Sequence, residues 1–141
     1  MMKRRRRTEI LIRGESSLAH KFAAEIVQTY DCLEIIAPHY GLTMVKMRES
    51  AKNSLFYLGE VLITEAKVEI QQQIGIGLVT GMEMELAKNL AIIDAAYKAR
   101  LPEVSKWEKE LLRAEQYIRE VKAKEQAELF ETKVNFETMD V

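Results

Sequence analysis

The sequence predicts an α+β fold: a three- to four-stranded antiparallel sheet packed by helices, with a long C-terminal helix and an extended C-terminal tail. Two observations carry this prediction. Between residues 33 and 80, apolar residues recur at every second position and turn residues follow at short intervals, which is typical of an antiparallel sheet with one solvated face. From Met82 onward the apolar period becomes helical.

The composition is that of one globular domain spanning residues 1–141. Hydrophobic residues make up 48% and charged residues 30% of the 141 positions, and the formal net charge is −1. A chain of this size buries about two-thirds of its unfolded surface without disulfides or a metal. The single cysteine, Cys32, excludes an internal disulfide. No stretch is apolar enough for a membrane span or a signal peptide, so we expect a cytoplasmic protein.

Residues 1–13 form a basic start that contains six basic residues and one acidic residue. The five consecutive cations from Lys3 to Arg7 repel one another, so we expect this start to be mobile. Binding of nucleic acid is the alternative, but the first aromatic residue that could stack on a base is Phe22. The apolar residues between Arg5 and Arg13 suit a short helix or a short strand equally well.

The segment that follows is predicted to form an amphipathic helix from Ser16, as its N-cap, to about Thr29. A short strand is predicted next over Leu33–Ala37. Pro38 is expected to stop this strand because proline cannot donate a hydrogen bond to a strand ladder.

Three further strands are predicted before the helical half of the chain. Thr43–Arg48 alternates between apolar and basic residues, and Leu62–Ile70 has the sharpest alternation of the sequence. A turn without glycine, Gln71–Gln73, leads into the last strand. Gly75 and Gly77 within it predict a bulge or the close approach of another backbone.

Two helices are predicted to follow, separated by Pro102. The second runs to about Phe130 and places apolar residues at heptad positions, but Glu125 and Glu128 then fall on the same seam. This seam requires a groove, which either this chain or another subunit supplies. Packing within the chain is favoured because the sheet must be covered on one face. Residues 131–141 are predicted to be extended.

The chain contains few groups that could perform chemistry. It lacks a phosphate-binding loop and a dinucleotide-binding glycine motif, and its two histidines have no carboxylate at metal-ligand spacing. His39, in a predicted Pro-His-Tyr-Gly turn, is a weak candidate for a general base. Asp94 interrupts an apolar helix and must find an arginine or backbone N–H groups as partners. It is the second weak catalytic candidate, although a structural or interface role is favoured.

Three stretches of the sequence together resemble the PhnG family, the G subunit of the bacterial carbon–phosphorus lyase system. They are residues 55–68, residues 75–96 and the closing block at residues 134–139. The resemblance implies a cytoplasmic complex with the H, I and J subunits. Together with the H, I and L proteins, the G subunit is required to displace adenine from ATP with an alkylphosphonate. The J subunit later breaks the carbon–phosphorus bond with an iron–sulfur cluster and S-adenosylmethionine.

This resemblance leads to the expectation of an accessory subunit of a transferase that does not catalyse the reaction alone. We expect no cofactor and no metal in this chain. Aromatic and methionine side chains are favoured at interfaces, so the predicted partner interface is made by residues of the long helix and the tail: Trp107, Val134, Asn135, Phe136, Thr138 and Met139. The alternatives are a catalytic subunit that uses His39 or Asp94, and a nucleic-acid-binding module that uses the basic start.

Overall fold

The structure, a computed structural model, describes residues 2–139; within it, the side chains of residues 135–139 are not described. In chain order the elements are α1 (Arg4–Arg13), α2 (Ser16–Thr29), β1 (Leu33–Arg48), β2 (Leu55–Ile70), β3 (Gln73–Thr80), α3 (Met84–Lys98) and α4 (Glu103–Met139). The three strands form an antiparallel sheet in the order β1-β2-β3. The predicted α+β class and the long C-terminal helix are confirmed.

The basic start is folded rather than mobile. It forms α1, in which Arg7, Ile10 and Leu11 are buried. The expectation of a mobile start fails because acids that are distant in sequence neutralise its arginines, as described below. Helix α2 has the predicted span, but Glu15 rather than Ser16 occupies its N-cap position.

Pro38 does not end a strand, because β1 continues through it for 16 residues. The pairing of β1 with β2 shifts register between Ile36 and His39, so a bulge accommodates the proline. Strand β1 also lies at the edge of the sheet, where one side of the strand needs no ladder partner. The predicted turn around His39 is therefore part of a strand.

Strand β2 begins at Leu55, seven residues before the predicted start at Leu62. The predicted hairpin to β3 forms without glycine, because Gln71 and Gln72 both adopt positive φ, at 50° and 66°. Two consecutive positive φ values are characteristic of the type I′ turn that matches the twist of a hairpin.

Helix α3 lies directly on the sheet at the two glycines of β3. A Cβ atom at Gly75 would overlap the Ala91 carbonyl oxygen, and one at Gly77 would overlap the Ala87 carbonyl oxygen. The predicted close approach of another backbone is confirmed. Helix α3 is therefore fixed against the sheet by main-chain contact, with its opposite face free to pack on other helices.

Trp107 of α4 lies at the centre of the helical layers. It is 1% exposed, stacks on Phe22 with ring centroids 4.7 Å apart, and meets Tyr97 of α3 at 6.1 Å. Its indole N–H donates to the Glu25 carboxylate at 3.1 Å. Trp107 was predicted at a partner interface, but its ring is buried in the core of its own chain and cannot form such a contact.

Helix α4 packs within the chain along the first half of its seam only. Val104 and Leu111 are buried and Ile118 is half-buried, whereas every described residue from Arg119 to Val134 is exposed. The prediction that the seam packs within the chain is thus confirmed for the first half of α4. The extended conformation predicted for residues 131–141 is not found where the chain is described, since the α4 backbone stays helical to Met139.

Candidate functional site

Asp94 is the centre of a buried charge cluster that joins three elements. The residue is 4% exposed, and its Oδ1 lies 2.6 Å from Arg7 Nη2 and 3.3 Å from Arg4 Nε. Its Oδ2 accepts the Ile76 N–H at 3.0 Å and lies 3.4 Å from Lys98 Nζ. The expectation that Asp94 binds an arginine and a backbone N–H is confirmed. Lys98, at the (i, i+4) position, was the one partner that helical spacing could have revealed.

Arg7 is held on two sides. Besides Asp94, it contacts the ring of Tyr97, with its guanidinium carbon 4.1 Å from the ring centroid. Burial lowers the pKa of Arg7 and raises the pKa of the Tyr97 phenol to about 12. A buried guanidinium between a carboxylate and an aromatic face is a structural arrangement, and each oxygen of the carboxylate already accepts a hydrogen bond, Oδ1 from Arg7 and Oδ2 from the Ile76 N–H.

Two other groups at the start of α1 pair with acids of α4. Arg6 donates two hydrogen bonds to Glu115, at 2.6 and 2.8 Å, and the Met2 backbone N–H donates to Glu108 at 2.7 Å. The hydrogen bond with Arg6 holds the pKa of Glu115 below its ordinary value. Cations at a helix N-terminus oppose the helix dipole. Acids from α3 and α4 offset this repulsion, so most of the basic run is used within the fold.

The two histidines lie on different elements and are exposed. His39 Nδ1 lies 3.2 Å from the carbonyl oxygen of Ala37, and His20 Nδ1 lies 3.3 Å from Glu85 Oε1. Within residues 2–139, no contact joins either histidine to Asp94, and no group of three His, Cys, Asp or Glu residues could hold a metal. The structure therefore keeps the two weak catalytic candidates, His39 and Asp94, apart.

Two segments project from the body, and neither contains a buried residue among those that the structure describes. The first, the hairpin arm, comprises residues 40–62 of β1, β2 and their connection, and the second, the helical arm, comprises residues 119–134 of α4. Large apolar side chains are exposed on both: Tyr40, Leu42, Met44, Met47, Leu55, Phe56, Tyr57, Leu58 and Leu62 on the hairpin arm, and Val121, Leu129, Phe130 and Val134 on the helical arm.

These arms give the chain far more surface than a compact domain has. The accessible surface is 10094 Å². A compact monomer of 16.3 kDa is expected to expose about 7,500 Å². The excess of about 2,600 Å² means that the chain is more extended than a compact monomer of its mass. Sequence analysis missed the hairpin arm, although the apolar run at residues 55–58 contradicts a strand with one wet face.

Val134 is the one predicted tail residue whose side chain the structure describes, and it is partly exposed. The side chains of the other four, Asn135, Phe136, Thr138 and Met139, lie outside the described residues. Contact between these residues and a partner remains a prediction.

The family model described as phosphonate metabolism protein PhnG matches residues 2–140, which is nearly the whole chain. No curated protein matches the sequence. Among the residues that the structure describes, no helix is long and apolar enough to cross a membrane.

Proposed function

The chain belongs to the family of phosphonate metabolism protein PhnG, and on this basis we propose that it is an accessory subunit of the carbon–phosphorus lyase core complex. In this proposal it assembles in the cytoplasm with the H, I and J subunits. Together with the H, I and L proteins it is required to transfer the ribose triphosphate part of ATP to an alkylphosphonate, with release of adenine.

The observation that carries this proposal is the exposed apolar surface of the two arms. Side chains such as Leu42, which is 65% exposed, are unfavourable in water in this number and are typical of surfaces that a partner covers. An excess of about 2,600 Å² over a compact monomer suits a subunit that functions in a stable assembly.

The state of the polar groups also supports an accessory role. Asp94 is surrounded by cations and an N–H donor, so it has little capacity to act as a general base. His39 is solvated, with a backbone carbonyl as its hydrogen-bond partner. Within the part of the chain that the structure describes, neither residue is hydrogen-bonded to a nucleophilic side chain.

Co-expression tests the proposal. The tagged chain, expressed with its cognate H, I and J subunits, is expected to retain the I subunit at moderate salt, and absence of the I subunit would contradict it. With the L protein added, the assembled proteins are expected to release adenine from ATP and methylphosphonate, whereas the chain alone releases none.

Two variants separate an accessory role from a catalytic one. His39→Ala is expected to leave both assembly and adenine release unchanged. Asp94→Asn is expected to reduce adenine release only in proportion to the loss of folded, assembled chain. Loss of turnover in a fully assembled complex, with either variant, would instead support the catalytic alternative.

A further inference from the structure

The two arms leave the body at the same end. Strand β2 passes the start of α3 where the Gly81 N–H donates to the Leu62 carbonyl at 2.8 Å, and the hairpin arm extends beyond this point. Gly14, which precedes α2, lies beside the Ile118 side chain of α4, and the helical arm extends beyond it. The starts of α2 and α3 meet at this end, where His20 Nδ1 lies 3.3 Å from Glu85 Oε1. The hairpin arm and the helical arm therefore lie on either side of a cleft, here called the fork. The first turns of α2 and α3 close this cleft on the side of the body.

On the side of the hairpin arm that faces into the fork, the part nearest the body is mostly apolar, while Glu60, Lys46 and Arg48 lie farther out on the same side. In the antiparallel register Tyr40 pairs with Thr64, Leu42 with Leu62, and Met44 with Glu60. Thr64 is buried on the side of the sheet that carries α3, and paired residues share a face. The exposed side chains of Tyr40, Leu42 and Met44 thus extend the core-facing surface of the sheet beyond the first residue of α3.

Two carboxylates lie on the seam of α4 where it forms the opposite wall of the fork, with Lys124 beside them. The α4 seam, which contacts the body through Leu111 and Ile118, continues at heptad spacing through Val121, Glu125 and Glu128. Both carboxylates are exposed. Carboxylates at seam positions oppose packing on an apolar surface, but they suit a partner that presents cations.

The width of the fork is set by α3. In the body α3 lies between the sheet and α4, with Ala87 and Ala91 against β3 and Tyr97 against Trp107. Beyond Met84, where α3 begins, no residue that the structure describes covers Leu42 and Met44 on one arm or Glu125 on the other, since all three are exposed. One helix with its side chains is about 10 Å across, so the fork has room for one further helix in the layer of α3.

We propose that the fork binds an amphipathic helix of a different protein, with an apolar face on the hairpin arm and Lys or Arg residues facing Glu125 and Glu128. This inference rests on the proposed function, because it names the docking site of the accessory subunit. Charge complementarity favours another protein over a second copy. The basic helix of this chain, α1, is held by Asp94 and Glu115, and no other basic helix occurs in the part of the chain that the structure describes.

Charge reversal on the helical arm tests the proposal in the co-expressed complex. Glu125→Lys with Glu128→Lys is expected to reduce the retained partner at least tenfold at moderate salt. The matched control is Glu120→Lys, a single reversal away from the seam of α4, which is compared with Glu125→Lys alone and is expected to leave retention unchanged. Equal effects of Glu120→Lys and Glu125→Lys would overturn the proposal.

A photo-crosslinking amino acid at Leu42 identifies the occupant. The expected product joins Leu42 to a helical peptide of another subunit that contains Lys or Arg, and the same probe at Thr43, on the other face of the strand, should give little of it. Products between two copies of this chain would overturn the proposal, as would products with a strand or an acidic segment.

These experiments also separate the inference from the proposed function. If the complex assembles and the reversal at Glu125 and Glu128 has no effect, the fork proposal fails while the accessory role stands. If the unaltered chain retains no partner at all, the accessory role fails and the fork proposal fails with it.

Discussion

Replacing Asp94 by asparagine is expected to destabilise the fold strongly, because it leaves a buried cation without its counter-charge. The amide keeps the shape of the side chain and can still accept the Ile76 N–H. Arg4 and Lys98 have side chains that are 53% and 39% exposed, so solvent replaces much of what they lose. Arg7, with a side chain that is 6% exposed, cannot be solvated in place.

Breaking a buried ion pair by removing one partner costs about 3–5 kcal/mol. Because asparagine retains one hydrogen-bond acceptor, the lower end of that range is expected for Asp94→Asn. In urea unfolding at pH 7, followed by far-ultraviolet circular dichroism, a loss of about 3 kcal/mol lowers the midpoint by about 1.5 M for a slope of about 2 kcal/mol/M.

The double variant Arg7→Met with Asp94→Asn provides the control. It removes the buried cation together with its partner, so it is expected to be more stable than Asp94→Asn alone. A loss below about 1 kcal/mol for Asp94→Asn would refute the assignment of the ion pair as structural. So would a double variant whose loss equals the sum of the two single losses.

Three further predictions concern packing and pH. Gly77→Ala is expected to lower the melting temperature markedly, because its Cβ would overlap the carbonyl oxygen of Ala87. Trp107→Ala should cost about 3–5 kcal/mol in urea unfolding. The folded-state pKa of Glu115 lies below its ordinary value. Glu115 therefore contributes fully to the free energy of unfolding at pH values above its ordinary pKa, and this contribution is lost as the pH falls through the folded-state pKa. The pH dependence of unfolding between 6 and 3 should therefore flatten in Arg6→Met.

The sequence was most informative at residues whose chemistry allows only a few structural environments. Gly75 and Gly77 in a strand imply that another backbone comes close, and α3 supplies it. An aspartate in an apolar helix requires a partner of opposite charge or an N–H donor, and Asp94 has both. Local chemistry sets these requirements, so they can be recognised without knowing the fold.

Prediction failed where the outcome depended on distant parts of the chain. The basic start was expected to be mobile because its arginines repel one another locally, but Asp94 and Glu115 neutralise them from far along the sequence. Pro38 was expected to end a strand, yet an edge position and a bulge accommodate it. Trp107 was assigned to an interface because its seam could serve either packing within the chain or binding to a partner.

The ion pairs of α1 have a consequence for the order in which the protein folds during synthesis. Ten residues are too few for a stable isolated helix, and the chain must grow by 109 residues beyond Arg6 before Glu115 is made. At ribosomal rates of 5–20 residues per second this interval is about 5–20 s. Helix α1 is thus among the last elements to dock, and nascent chains that stop before α4 contain Asp94 but lack the acids that pair with Met2 and Arg6.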